Sequence, residues 1–482
     1  MKIRRLASIK TADEFSSYLK DNGIFLPFSR KVPLGKTTSL ARPYILGNKT
    51  IGNRFAILPM EGWDGTLDGY PTDLVRRRWQ NFGRSGAKFI WGGEAVAVRM
   101  DGKANPHQLL LNEQTASEIT DLRRLLVKTH EEYYGNSNDL LVGLQLTHSG
   151  RFSCPHDIKK REPLILYHHP LLDKKFGIAA DYPVMTDDEI SLLELDYIKA
   201  AELAQKAGFD FVDIKHCHGY LGHEFLSAVN RPGRYGGGFE NRTRFLSEVV
   251  NGIRQHAPGI GIGVRLSAFD FIPFQKGEKG IGEPATYNKD YYPYAFGGDG
   301  TGTGIDLTEP ISFLEKLLSL GIHLVCITAG SPYYVPHIQR PALFPSSDAY
   351  QPPEDPLVGV ARLISVTSTL KKAVPEMTVV GSGYSYLQEW LPNVADAVIV
   401  NGDADFAGYG RMVLSYPEFA ADVLSGKALK KNKICRTFSD CTTATRLGLV
   451  SGCFPLDEYY RNLPDYDSLE YSKKQAKNAS SL

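Results

Sequence analysis

The sequence predicts an α/β fold, a (β/α)8 TIM barrel with an N-terminal extension, long loop insertions and a C-terminal extension. Short β-branched or apolar runs alternate with amphipathic helical patterns along the 482 residues. This alternation is typical of a parallel sheet, and eight such units close most naturally into a barrel. Polar and charged side chains also follow the ends of the runs, where a barrel carries its active site. An open doubly wound sheet is the alternative fold.

The eight predicted strands are short apolar runs, and the helical patterns lie between them. The predicted strands are Arg54 to Leu58, Lys88 to Trp91, Leu140 to Leu146, Phe211 to Ile214, Gly261 to Leu266, Leu324 to Thr328, Thr378 to Val380 and Ala397 to Val400. The predicted helices span about 72 to 85, 114 to 134, 187 to 207, 240 to 256, 309 to 320, 356 to 373 and 385 to 392, with a last one after about 404. The third helix has the clearest signal, because Thr186 and Glu189 form a capping box before it.

We predict three parts along the chain. Residues 1–50 form an N-terminal extension, residues 51–425 form the barrel, and residues 426–482 form a C-terminal extension with a degenerate cysteine motif. The barrel carries insertions at about 150–185 and 270–306. Loops of that length in a compact domain usually serve as lids or binding arms.

Composition favours a small-molecule ligand. The apolar fraction of 42% and charged fraction of 23% are those of a globular protein. The chain has 55 basic and 54 acidic side chains, and this net charge of +1 does not indicate binding to nucleic acid or to an anionic membrane. No apolar run is long enough for a signal peptide or a membrane span, so we expect a cytoplasmic protein. Six cysteines are too few for a disulfide scaffold.

The fourth predicted strand is followed by the densest set of proton-transfer groups in the chain. Lys215, His216, His218 and Tyr220 lie within six positions of each other. Groups of this kind at the end of a barrel strand usually carry chemistry. His216, like His148 after the third strand, is also compatible with an ordinary buried polar role.

The other strand ends add groups that suit a phosphorylated cofactor. Strands seven and eight are where a barrel normally holds a phosphate, and Gly383, Gly410 and Arg411 follow them. Gln145 and Arg265 reach inward from strands three and five, although either could instead have a purely structural partner. These positions predict a bound phosphorylated cofactor with a substrate above it.

At this point the motifs resemble the old yellow enzyme or NADH:flavin oxidoreductase family. The resemblance runs from Asn53 to Arg411 and rests on NRFAILPM, SGAKFIWGGEA, GLQLTHSGR, GVRLS, VVGSG followed by GYGR, and the long segment AGFDFVDIKHCHGYLGHEFLSAVNRPGRYGGGFENRTRF. It implies FMN at the carboxyl rim and NAD(P)H as the hydride donor. By resemblance, Pro59, Met60 and Ala95 line the isoalloxazine ring, Gln145 and Arg265 bind its pyrimidine edge, and Gly383, Gly410 and Arg411 hold the phosphate.

The resemblance also implies the reaction, in which hydride passes through the flavin to an activated C=C bond of an enone-type acceptor. The catalytic positions match Lys215 and His218, which would bind the carbonyl oxygen, and Tyr220, which would donate a proton to the α-carbon. Lys215 departs from the family, which usually has histidine there, or tyrosine in amine dehydrogenase relatives. A second departure is Glu61, where relatives often carry threonine or cysteine.

The third departure concerns metal. Larger relatives, such as 2,4-dienoyl-CoA reductase and trimethylamine dehydrogenase, hold a [4Fe-4S] cluster on four cysteines after the barrel. This chain has Cys435, Cys441 and Cys453, with Phe438 in the remaining ligand position. A bulky aromatic there is more typical of a site that has lost its metal and kept its packing. We therefore expect no cluster, and the additional nucleotide-binding domains of those relatives are not expected either.

Two other functions stay open. An amine-dehydrogenase-like flavin oxidation is compatible with the same site. A Schiff-base lyase is the alternative from a different class, because class I aldolases also present a lysine at the end of a barrel strand, as Lys215 would be.

Overall fold

The computed structural model describes residues 3–32 and 35–479, with side chains up to residue 475. In that part of the chain the strands are β1 (Tyr44–Leu46), β2 (Lys49–Ile51), β3 (Phe55–Ile57), β4 (Phe89–Ile90), β5 (Ala95–Ala97), β6 (Leu141–Thr147), β7 (Phe211–Ile214), β8 (Gly261–Ser267), β9 (Phe274–Lys276), β10 (Gly282–Pro284), β11 (Leu324–Thr328), β12 (Thr378–Gly381) and β13 (Phe406–Tyr409). The α-helices are α1 (Ala12–Asp21), α2 (Asp73–Gly83), α3 (Ala116–Tyr134), α4 (Leu172–Phe176), α5 (Asp187–Lys206), α6 (Leu221–Leu226), α7 (Phe239–Arg242), α8 (Arg244–His256), α9 (Thr308–Ser319), α10 (Pro336–Gln339), α11 (Pro356–Ala373), α12 (Leu391–Val400), α13 (Arg411–Ser415), α14 (Phe419–Leu424), α15 (Asp440–Arg446), α16 (Glu458–Arg461) and α17 (Asp465–Ala479).

Eight parallel strands close into a barrel. Their order is β3, β4, β6, β7, β8, β11, β12, β13, and β13 pairs with β3 to complete the circle. β5 continues the position of β4 and pairs with β6 nearer the carboxyl end. The predicted TIM barrel is therefore confirmed. The alternative prediction of an open doubly wound sheet is wrong, because an open sheet would leave two edge strands unpaired and here β13 pairs with β3.

The eighth predicted strand is wrong. Residues Ala397 to Val400 form the last turn of α12, and the strand of the eighth unit is β13 instead. Within α12, the buried residues Val394, Ala395 and Val398 recur at helical spacing. A run of four apolar residues does not distinguish a helix end from a buried strand by periodicity alone. The helix predicted after about 404 is replaced by β13 followed by α13 and α14.

The barrel interior is closed at its amino end. A separate apolar cluster fills it, consisting of Ile51, Ala56, Leu58, Phe89, Trp91, Leu141, Phe211, Leu324, Cys326, Val380 and Phe406. The antiparallel hairpin β1–β2 lies against this cluster through Tyr44 and Leu46. Because this cluster fills the amino end, the described residues leave the carboxyl end of the strands open to a ligand, as in other barrels of this kind.

Segments outside the repeat surround the carboxyl end. The stretch at 150–185 contains α4, and the stretch at 270–306 contains the antiparallel pair β9–β10. Helix α15 contacts the loop after β11, where Ser347 N donates to Thr443 Oγ1 at 3.2 Å and Arg446 Nη1 donates to Ser346 Oγ at 2.8 Å. Among the described residues, no helix combines the length and apolar character needed to cross a bilayer.

Candidate active site

A cavity of about 280 Å³ opens at the carboxyl end of the barrel, close to the lower end of the usual size of a ligand pocket. Every site residue predicted from the sequence borders it: Pro59, Met60, Ala95, Gln145, Lys215, His218, Tyr220, Arg265, Gly383, Gly410 and Arg411. They come from seven of the eight strand positions of the barrel. The fold thus brings together residues that lie as much as 352 positions apart in the chain.

The turn after β7 directs the side chains of Lys215, His218 and Tyr220 into this cavity. His218 has a φ of +67°, a backbone conformation that is uncommon for a residue other than glycine. The backbone N–H of His218 donates to Ser267 Oγ at 3.0 Å, which fixes the turn. The His218 ring lies 3.2 Å from Gln339 Nε2 and 3.5 Å from Thr328 Oγ1. A strained, hydrogen-bonded turn of this kind is typical of a functional site.

Two other predicted histidines lie away from the cavity. His216 Nδ1 is 2.9 Å from Ile214 O, and its ring packs 5.8 Å from that of Phe313. His148 is buried, and its Nδ1 accepts from Gly150 N at 3.1 Å. Burial lowers the pKa of both imidazoles. These rings therefore have the structural role that the sequence left open.

A buried carboxylate that the sequence analysis missed organises the floor of the cavity. Asp213 Oδ2 accepts from Gln145 Nε2 at 2.5 Å and from Trp91 Nε1 at 2.7 Å. Its Oδ1 accepts from the backbone N–H of Arg265 at 2.7 Å. Burial raises the pKa of Asp213, while these donors and the Arg265 guanidinium oppose the shift. An aspartate within an otherwise apolar strand was the signal that could have identified it.

A second buried charge cluster lies behind the rim. Arg78 on α2 donates to Glu94 Oε1 at 2.7 Å and to Asp64 Oδ2 at 3.0 Å, and all three residues are buried. Glu94 follows the second barrel strand, and its carboxylate pairs with Arg78. Burial raises the pKa of Glu94, and the Arg78 charge counteracts this effect.

One side of the cavity is an aromatic and basic wall. Lys215 Nζ lies 3.7 Å from the centroid of the Tyr220 ring, and the Tyr220 hydroxyl hydrogen-bonds Glu61 and Tyr333. The Tyr333 ring stacks on that of Phe152, with centroids 4.1 Å apart. No motif in the sequence pointed to Tyr333, although the pair of tyrosines after the sixth strand could have indicated it.

The opposite side of the cavity carries two arginines and unpaired donors. Arg411 Nη2 donates to Pro341 O at 3.0 Å, whereas the buried Arg411 Nη1 and Ser382 Oγ have no hydrogen-bond partner among the described protein atoms. Arg340, which the sequence analysis missed, donates to Thr442 Oγ1. Burial and the neighbouring Arg411 lower the pKa of Arg340 to about 10. Buried donors without acceptors are costly, so this arrangement fits an anionic ligand such as a phosphate.

The three C-terminal cysteines lie beside this basic side. Cys435, Cys441 and Cys453 are unbridged and border a cavity of about 20 Å³ that also touches Arg411. The Phe438 side chain is 39% exposed, and its ring lies 5.8 Å from that of Phe344. Within the described residues, no group of three or more His, Cys, Asp and Glu side chains is arranged to hold a metal ion.

The fold and the site together define a class: a (β/α)8 barrel that offers buried guanidinium groups and a wall of proton donors to a ligand at its carboxyl rim. The chain belongs to the NADH:flavin oxidoreductase / NADH oxidase family, whose sequence profile matches residues 39–287, more than half of the chain. The resemblance found in the sequence is therefore confirmed.

Individual relatives agree with this assignment. An NADH:flavin oxidoreductase of Gibberella zeae is 30% identical over 252 residues, which cover 49% of this chain and 59% of that protein. An NADPH dehydrogenase of Bacillus cytotoxicus is 30% identical over 244 residues, which cover 49% of this chain and 64% of that protein. The chain thus spans less than two thirds of the length of either relative.

Two solved structures share the fold. A 2-naphthoyl-CoA reductase in complex with 2-naphthoyl-CoA superposes with a TM-score of 0.62 at 18% identity, covering 88% of this chain and 57% of that one. An old yellow enzyme homologue from Zymomonas mobilis superposes with a TM-score of 0.55 at 21% identity, covering 82% of this chain and 94% of that one. At these identities the similarity concerns the fold alone.

Proposed function

We propose that the protein is an FMN-dependent oxidoreductase that transfers hydride from NAD(P)H through the flavin to an activated C=C bond of an enone-type acceptor. One observation carries the proposal. The cavity has unpaired guanidinium and hydroxyl donors on one side, Gln145 and Arg265 at its floor, and Tyr220 with Lys215 on the other side. An elongated ligand with a phosphate at one end and a polar ring at the other matches this arrangement.

The donors present fit FMN. Arg411, Ser382 and the backbone at Gly383 and Gly410 would hold the phosphate, and Arg340 would add a second positive charge. Arg265 would lie at the pyrimidine edge, where its buried Nε has no partner among the described protein atoms. A guanidinium there stabilises the anionic reduced ring. When bound, the flavin would supply hydride transfer between the nicotinamide and the acceptor.

Three side chains would act on the acceptor. Lys215 and His218 would donate hydrogen bonds to its carbonyl oxygen and stabilise the negative charge that develops there. Burial lowers the pKa of both groups. Tyr220 would donate a proton to the α-carbon, and the surrounding aromatic rings would exclude water from the reacting atoms.

The experiment is the visible spectrum of the purified protein, followed by identification of the released chromophore. We expect a yellow protein that releases FMN, bleaches with NAD(P)H under anaerobic conditions and recovers its colour with 2-cyclohexen-1-one. Lys215→Ala should slow the recovery step and leave FMN binding intact. A colourless protein that does not bind added FMN would contradict the proposal, and unchanged turnover in Lys215→Ala would contradict the role of that lysine.

A Schiff-base lyase is the second candidate, because burial lowers the pKa of Lys215 and an uncharged amine is the nucleophile such enzymes need. Borohydride trapping with a carbonyl substrate separates the two functions. A covalent adduct at Lys215 supports the lyase, and its absence in a protein that reduces the enone supports the flavin enzyme.

A further inference from the structure

His223 on α6 contacts the backbone of the turn that follows β7. The backbone N–H of Gly219 donates to His223 Nδ1 at 2.9 Å, and the described residues offer this N–H no other acceptor. Gly219 is buried between His218 and Tyr220, two of the side chains that the proposed function assigns to the acceptor. The position of this one amide therefore affects both side chains.

The conformation of this turn requires backbone anchors. His218 and Gly219 both have a positive φ, of +67° and +77°. A residue other than glycine rarely adopts this conformation, which persists only where surrounding contacts hold it. Ser267 Oγ accepts from the His218 N–H at 3.0 Å, and His223 accepts from the next N–H along the chain. Without His223, the buried Gly219 N–H would lack an acceptor, which is unfavourable.

This hydrogen bond fixes the position of the proton on the His223 ring. Because Nδ1 accepts from Gly219, it carries no proton, and the neutral ring has its proton on Nε2. His223 is 3% exposed, and this burial lowers its pKa to about 3, with a smaller contribution from His216. The ring is therefore a neutral hydrogen-bond acceptor toward Gly219 at neutral pH.

His223 also borders a second, smaller cavity behind the turn. Its Nε2 and Glu224 Oε2 have no hydrogen-bond partner among the described protein atoms, and both residues border a cavity of about 20 Å³. A polar cavity of this volume accommodates one water. Such a water would accept from Nε2–H and donate to Glu224, which would keep the ring proton on Nε2. Arg151 Nη2 donates to Glu224 Oε1 at 2.6 Å and holds that carboxylate in place.

We propose that His223 is a positioning residue of the active site, whose bond to Gly219 holds His218 and Tyr220 in place against the acceptor. This inference rests on the proposed function. Among the described residues that border the main cavity His223 is absent, so it would act through the backbone of the turn and touch neither flavin nor acceptor. A shift of a reacting group by about 1 Å slows a reaction by up to about a hundredfold.

Two polar substitutions separate the roles of the two ring nitrogens. In His223→Asn, Oδ1 takes the place of Nδ1 and accepts the Gly219 N–H, but no donor reaches the position of Nε2. In His223→Gln, the side-chain amide reaches the position of Nε2, but no acceptor takes the place of Nδ1. The bond to Gly219 is thus kept in the first variant and lost in the second.

The test is a single-turnover experiment. Wild-type enzyme and both variants are loaded with FMN, reduced with NADPH and mixed with 2-cyclohexen-1-one, and flavin reoxidation is followed. We expect His223→Asn to stay within about threefold of wild type and His223→Gln to be at least about tenfold slower. The affinity for FMN, measured by fluorescence quenching, should be unchanged in both. Equal losses of rate in the two variants, or a His223→Gln variant as fast as wild type, would contradict the proposal.

His130→Gln is the matched control. His130 on α3 is also buried, its Nδ1 lies 2.9 Å from Gly83 O, and its Nε2 has no partner among the described protein atoms. This contact joins α3 to the end of α2, away from the turn after β7. The variant should keep the wild-type rate. A rate as low as that of His223→Gln would mean that the loss of any buried imidazole is sufficient, and the proposal would be wrong.

The wild-type protein tests the hydrogen bond even if a variant fails to fold. Neutron crystallography of the FMN-loaded enzyme should show a proton on Nε2 of His223 and none on Nδ1, and a proton on Nδ1 would contradict the proposal. A wild-type enzyme that does not reduce the enone contradicts the proposed function. The proton position on His223 then still decides whether this ring holds the turn.

Discussion

Arg340 and Arg411 approach each other on the basic side of the cavity without a carboxylate between them. Among the described residues neither forms an ion pair, and each donates only to neutral oxygens, of Thr442 and Pro341 respectively. Two guanidinium groups in partly desolvated surroundings repel each other, as the lowered pKa of Arg340 reflects. A phosphate between them would relieve the repulsion and supply the missing acceptors.

We expect Arg411→Gln and Arg340→Gln each to weaken FMN binding by about ten- to hundredfold, the range of a lost charge-assisted hydrogen bond. The affinity for riboflavin, which has no phosphate, should change little. Fluorescence quenching of the free flavins measures both affinities. The ratio of FMN to riboflavin affinity thus isolates the phosphate contact from any general loss of structure.

Arg124→Gln is the matched control, because this arginine is exposed on α3 and pairs with Asp121. It should leave both affinities unchanged. An equal loss of FMN and riboflavin affinity in Arg340→Gln would show that this residue supports the cavity wall and does not bind the phosphate.

At the scale of single residues, the sequence predicted positions that belong to recognisable motifs. Lys215, His218 and Tyr220 follow one strand, and the structure places all three on the cavity. Asp213, Tyr333 and Arg340 were missed because their importance depends on neighbours from other strands. A buried aspartate, for example, becomes significant only when Trp91, Gln145 and Arg265 are seen to converge on it.

At the scale of elements, helix α5 shows how local signals fix a boundary. Glu189 N donates to Thr186 Oγ1 at 3.2 Å, and Thr186 N donates to Glu189 Oε2 at 2.7 Å. This is the capping box that the sequence predicted. The box gives hydrogen-bond acceptors to two backbone N–H groups, those of Thr186 and Glu189, at the start of a helix that packs on the barrel.

Thr186→Ala should lower the free energy of unfolding by about 1 kcal/mol, the usual cost of losing an N-cap. Chemical denaturation monitored by circular dichroism measures the change. Thr369→Ala is the control, since Thr369 is exposed in the interior of α11 and bonds only Ser365 O of its own helix. That substitution should be neutral or slightly stabilising. Equal effects of the two substitutions would argue against a capping contribution.

The eighth strand shows where local signals fail. The β-branched residues Val398 to Val400 favour a strand locally, but they continue α12 because Val394 and Val398 reach the core on one helical face. The strand that replaces them contains Gly408, whose added Cβ would lie 2.4 Å from Gly381 O. Glycine has a low strand propensity, so it makes the strand harder to predict from the sequence. Here it allows β13 to pack closely against β12 in the barrel. The pairing of β13 with both β12 and β3 decides the assignment.

At the scale of the whole molecule, the cavity is built from segments that are remote in sequence. The barrel strands form its floor, the loop after β11 contributes Tyr333 and Arg340, and α15 contributes Thr442 and Arg446. The C-terminal extension therefore forms part of the wall of the site. Ligand binding should stabilise these segments together, since ligands stabilise the state that binds them.

We expect FMN to slow hydrogen exchange in α15 and in the loop after β11 as well as at the ends of β12 and β13. The hairpin β1–β2 at the closed amino end lies outside the cavity and serves as the internal control. Exchange followed by mass spectrometry, with and without FMN, measures the effect. Protection confined to β12 and β13 would show that the C-terminal extension does not take part in cofactor binding.

The sequence by itself determined the barrel, its family and the residues that follow each strand, because periodicity and motifs are local properties of the chain. The tertiary structure decided which strand closes the barrel, which histidine borders the cavity, and that Glu61 contacts Tyr220, which lies 159 residues away in the sequence. These contacts depend on strand pairing and on the direction of individual side chains. No pattern along the chain encodes them.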